Sequence, residues 1–182
     1  AEAFAGFLAG GIRIAEIKDE LAETNEKETG ISIQNEFAYI MGVVVSNSRE
    51  PVQAELTLGE VFADQMNFHN VFSAAIHNTT PTFVNRLVID AAIYQKGTTE
   101  ILYQASQEQM QMAPNSHFYF PIPLNGDRFK AGEYELQLKA QSGEDVWEWT
   151  QSFTVTADVA ESLNRSDVTI DSNPQWLLIT AL

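Results

Sequence analysis

Few side chains in this sequence are spaced for covalent chemistry. The three histidines, His69, His77 and His117, stand too far apart for the short ligand spacings of zinc sites. His117 follows Ser116, but the Gly-x-Ser-x-Gly turn that exposes a nucleophilic serine does not occur. The plainer reading is three scattered loop or surface histidines. Carboxylates are so abundant that no pair stands out for acid–base work. There is no Asp-x-Asp-x-Asp-Gly calcium loop and no Gly-rich phosphate loop. Cysteine is absent, which removes disulfides, thiolate metal sites and cysteine nucleophiles together. We therefore expect no catalytic residues, no metal and no cofactor, and a chain that works by binding.

Aromatic side chains are the better candidates. Trp147 and Trp149 are two apart on a strand pattern, so they share a face. Exposed, they would stack sugars or anchor a protein partner. Phe153 and Val155 lie on the same face, which favours burial instead. Met110, Met112, Phe118 and Phe120 read as core, with Tyr119 the most exposed of that group. The candidate ligand-binding residues are thus Tyr119, Trp147 and Trp149.

The elements that must position them are strands. Residues 37–46 form a nearly continuous apolar run, as in a central strand, and residues 47–51 form a turn. Residues 52–58 alternate and are expected to close a hairpin with 37–46. Further strands are expected at 11–17, 71–76, 84–94, 101–104, 117–124, 134–140 and 146–155. Pro121 and Pro123 mark 117–124 as an edge strand, because proline lacks the ladder donor. Residues 157–163 read as a short helix capped by Asp158. About eight closely spaced strands indicate an all-β sandwich or barrel.

Charge narrows the partners. The chain carries 25 acidic and 10 basic side chains, a net charge of −15. Phosphate recognition needs clustered Lys and Arg, so nucleic acid is excluded as the main partner, and anionic lipid is disfavoured. Residues 18–29 are acidic and read as a solvated loop or short helix. The last seven residues, Trp176 to Leu182, are apolar but far short of the roughly 20 a membrane span needs. They are either the opening of a membrane helix or a terminal strand. Asn78-Thr79-Thr80 and Asn164-Arg165-Ser166 match the glycosylation sequon, a pattern that arises often by chance.

The stretch Met110-Gln111-Met112-Ala113-Pro114-Asn115-Ser116-His117-Phe118-Tyr119-Phe120 resembles the characteristic run of the host-binding domain of WxL-interacting proteins. Gly132-Glu133-Tyr134, the Trp149–Phe153–Val155–Thr156 pattern, the segment Asn35 to Val43, Asn78 with Pro81, and Gly10-Gly11-Ile12 follow the same family order. The resemblance implies an immunoglobulin-like β-sandwich on a Gram-positive cell surface. It implies a full-length protein with a peptidoglycan-binding domain and a membrane anchor. It implies partnership with WxL-domain proteins and adhesion to a host matrix protein such as fibronectin. On this picture residues 1–30 are a junction from a preceding domain, 31–163 the host-binding domain, and 164–182 a linker to a truncated membrane anchor. Two other readings stand beside host adhesion: assembly with a bacterial WxL partner, by strand addition at 117–124, and carbohydrate binding through Trp147 and Trp149. The run Ala113 to Ser116 reads as a structural turn, since Pro114 fixes φ and Asn115 tolerates unusual backbone.

Overall fold

The computed structural model describes residues 4–15, 37–48 and 50–170. The acidic stretch 18–29 and the apolar end 176–182 lie outside the described residues. The chain divides into two compact units, residues 1–50 and 51–182.

In the first unit β1 (Leu8–Ala15) and β2 (Ala38–Val45) form an antiparallel ribbon, paired from Leu8↔Val45 to Ala15↔Ala38. Residues 37–46 are therefore a strand as predicted, but their partner is β1 and not 52–58. They are also not buried: Tyr39, Ile40 and Met41, which alternate between the two faces, are all exposed. A continuous apolar run normally signals burial on both faces. Periodicity cannot reveal that, among the described residues, this ribbon has two strands.

Among the described residues the second unit holds seven strands and a helix. They are β3 (Leu56–Met66), β4 (His69–Asn78), β5 (Val84–Gln95), β6 (Ile101–Met112), β7 (Ser116–Pro123), β8 (Gly132–Ser142), β9 (Asp145–Val155) and α1 (Ala157–Ser166). One sheet runs β3-β4-β7 and the other β6-β5-β8-β9, with all pairs antiparallel. The fold is an all-β sandwich. Alternation dictates the core: Phe72, Ala74 and Ile76 of β4 meet Leu87, Ile89, Ala91 and Ile93 of β5 and Leu136, Leu138 and Ala140 of β8. Phe72 is its centre, with the rings of Phe129, Tyr134 and Phe153 at 5.1–5.3 Å. At the start of β8 the buried Tyr134 donates its hydroxyl back to the Lys130 carbonyl at 2.7 Å.

Three of the four sheet edges carry an interruption. β3 slips register between Leu58 and Val61, and β6 slips against β5 near Gln109, which has a positive φ of 58°. β7 is the predicted proline-bearing edge and, among the described residues, pairs only with β4. The Leu124 N–H bonds the Asn70 carbonyl, so by alternation the even-numbered residues of β7 face β4. Pro121 and Pro123 therefore fall on the open side, where only His117 and Tyr119 still offer an N–H. β9 pairs regularly with β8, and its other side runs beside β3.

The helix follows its sequence pattern, with one change. Its N-cap is Thr156, whose hydroxyl accepts from the Val159 N–H at 3.4 Å, and Asp158 lies within the first turn. A capping oxygen must sit just before the helix to reach these free N–H groups. Asp158 instead faces the positive end of the helix dipole. Beyond the helix, buried Asp167 accepts from the Asn70 and Thr169 N–H groups, each at 2.7 Å. Asn164 bonds the Phe129 N–H at 2.8 Å and its carbonyl at 2.9 Å. Together they fasten the chain after β9 onto the start of β4 and the loop before β8.

Candidate functional site

The outward side chains of the β3-β4-β7 sheet form cross-strand rows. Ala75 of β4 lies opposite Tyr119, His77 opposite His117, and Ser73 between Phe62 and Pro121. The central residues are small, so the aromatic side chains beside them lean over the strand. Tyr119 meets Phe62 edge-to-face at 5.7 Å and His117 edge-to-face at 5.9 Å. His117 stacks on His77 at 5.3 Å. The His77 ring in turn lies over Gly59, where an added Cβ would come within 2.5 Å of Nε2. A side chain at position 59 would push the imidazole aside.

The result is a continuous strip, Phe62–Tyr119–His117–His77, that shields Ser73 and Ala75. Tyr119 is its most prominent apolar surface, 49 % exposed. A ring with one apolar face and a hydroxyl at its tip suits a protein contact. The sequence correctly singled out Tyr119 as exposed. It did not bring His77 and His117 together, because strand register joins residues 40 apart in sequence.

Trp147 and Trp149 take the other orientation. Both lie on the inner side of β9 and pack against the core with Phe153. A sugar platform built on these two rings would need them exposed; they are half-buried, on the face that looks into the sandwich. The outward face of β9 belongs to Val146, Glu148, Thr150, Ser152 and Thr154.

Ser116 and His117, neighbours in the sequence, do not form a nucleophile–base pair. The Ser116 hydroxyl donates to the Ala113 carbonyl at 2.7 Å and does not point to His117. Among the described residues no three His, Asp or Glu side chains cluster to hold a metal. Asn78, the first sequon asparagine, is buried, and its amide donates to the Thr82 and Ala113 carbonyls at 2.7 and 2.9 Å. It is an architectural residue, as Asn115 is with its φ of 49°.

No curated protein matches the chain. Residues 28–165, about three quarters of the chain, match the host binding domain of WxL Interacting Protein. That span includes β2, the whole sandwich and most of α1. The chain belongs to the WxL-interacting protein family, as its host binding domain.

Proposed function

We propose that this domain is a non-enzymatic adhesion module that binds a host extracellular-matrix protein through the Tyr119 strip. The observation that carries the reading is an exposed aromatic row, held rigid by cross-strand stacking, on a domain whose family is named for host binding. The net charge of −15 favours a partner with basic patches and speeds the encounter at low salt. The same reading places the domain outside a Gram-positive cell and tethered to its membrane. Residues 31–163 are then the binding domain, between a junction at 1–30 and a linker at 164–182.

An immunoglobulin-like assignment has two supports. Tyr134 makes the back-bond of a tyrosine corner at the start of β8. The strand order β3-β4-β7 and β6-β5-β8-β9 also places the second, fifth and sixth strands of the unit as immunoglobulin sandwiches do.

Interferometry with immobilised fibronectin, collagen, laminin and vitronectin tests the proposal. Binding to one of them that weakens on Tyr119→Ala is expected. Silence across the panel at low salt would overturn the host-matrix reading. If the chain instead captures only a bacterial WxL-domain protein, assembly is its role.

A further inference from the structure

The opposite sheet carries a second feature. The outer face of β6-β5-β8-β9 is hollowed into a depression of about 690 Å³. Its floor is Ala92 on β5, with Gln104 of β6 on one side and Gln137 of β8 on the other. Thr150 of β9 completes that row beyond Gln137. A short side chain between two long amides on a sheet surface leaves a trough. Four strands at about 4.8 Å spacing make it roughly 14 Å long.

The chemistry of the rows differs sharply. In the next row the charges are already committed. Asp90 accepts from the Ser106 hydroxyl at 2.6 Å, and Lys139 pairs with Glu148 at 3.4 Å. The Gln104–Ala92–Gln137–Thr150 row holds no charge at all, on a chain whose net charge is −15. Among the described residues, the Gln104 amide, the Thr150 hydroxyl and the hydroxyl of neighbouring Tyr94 make no protein hydrogen bond. Gln137 makes only a long one, at 3.3 Å to Glu135. The trough thus offers uncommitted, uncharged donors and acceptors, with Tyr94 at its side.

We propose that this trough is a binding site for an uncharged oligosaccharide, lying across the four strands. A sugar chain presents hydroxyls in every direction, which amides and hydroxyls match as both donors and acceptors. A tyrosine ring gives it a flat apolar contact. A polypeptide fits less well. Protein hot spots need an apolar or arginine anchor in a desolvated pocket, and the floor here is a single methyl group. Anionic glycans meet no unpaired cation among the described residues that line the trough, where Lys139 pairs with Glu148. The site is independent of the Tyr119 strip, which lies on the other sheet.

The test is NMR titration of the 15N-labelled 182-residue chain with cellohexaose, mannohexaose and chitohexaose. We expect at least one to shift the side-chain amide signals of Gln104 and Gln137 together. Gln104→Ala and the trough-filling Ala92→Leu should each weaken that sugar by about tenfold or more, the loss of one good polar contact or of the space itself. Gln104 is exposed, so its variant should keep the parent melting temperature. Tyr119→Ala should leave sugar affinity unchanged while host-protein binding falls, which separates this proposal from the adhesion reading. The proposal is overturned if no sugar moves those signals at millimolar concentration, if sulfated or uronic acid oligosaccharides bind there more tightly, or if a matrix polypeptide moves them instead.

Discussion

The side-chain amide of Asn78 donates to the backbone carbonyl of Ala113 at 2.9 Å, tying the end of β4 to the turn that leads into β7. The same amide reaches the Thr82 carbonyl at 2.7 Å, and its oxygen accepts from the Thr80 N–H and hydroxyl. One buried side chain thus holds two loops at the same end of the sandwich. Asn78→Ala would leave the Thr82 and Ala113 carbonyls without their amide donor. It should lower stability by about 2–4 kcal/mol, read from urea unfolding.

Asn115 sits in the left-handed region at φ 49°, and its N–H bonds the Thr80 carbonyl at 3.0 Å. Asn115→Gly should fold as well as the parent. Asn115→Val should lose about 1–2 kcal/mol, because a branched Cβ clashes in that conformation. Paired thermal melts check the difference.

The carboxyl of Asp167 combines opposing influences. Burial alone would raise its pKa, but the hydrogen bonds from Thr169 and Asn70 and the nearby His69 hold it below its ordinary value of 3.8. A carboxyl depressed in the folded state stabilises fully above its unfolded value. That contribution fades as pH falls from 3.8 through the lower folded value. Asp167→Asn should therefore be less stable than the parent at neutral pH, by about 1–3 kcal/mol. The gap should close in acid. A pH series of melting temperatures measures both.

Tyr119 and Trp149 should respond in opposite ways. Tyr119→Ala removes a half-exposed ring, so stability should change by about 1 kcal/mol or less while host-protein affinity drops about tenfold or more. Trp149→Ala opens the inner side of β9 and should cost about 3 kcal/mol with affinity unchanged for the folded fraction. Denaturation and interferometry on the same two samples decide it.

Gly59→Ala should displace the His77 ring, since the new methyl would stand 2.5 Å from Nε2. The imidazole signals of both His77 and His117 should shift in NMR spectra, while the core methyl signals stay in place.

The sequence was most readable where one face is wet and the other dry. Strands β5, β8 and β9 alternate cleanly, and their predicted limits agree with the structure to within two residues at every end. β6 is half legible: residues 101–104 read as a strand, but it runs to Met112. Its Gln-rich continuation is an exposed edge with a bulge at Gln109, so it shows no apolar rhythm. β3 was cut short for a related reason, because the slip after Leu58 breaks the two-residue period. The candidate site was legible only at Tyr119. The rest of the strip depends on register, and the trough depends on what is missing at Ala92, which no motif announces.

Among the described residues the sandwich has four edges. Two prolines stand on one, bulges break two more, and β3 runs alongside the fourth. At high concentration a sheet protein meets copies of itself more often than any ligand. Among the described residues the sandwich offers no long, regular rim, so its two sheets resist zipping edge to edge with neighbouring copies, and their faces stay available. Its colloidal behaviour is thus written into the borders of the sheets, while recognition is left to their surfaces.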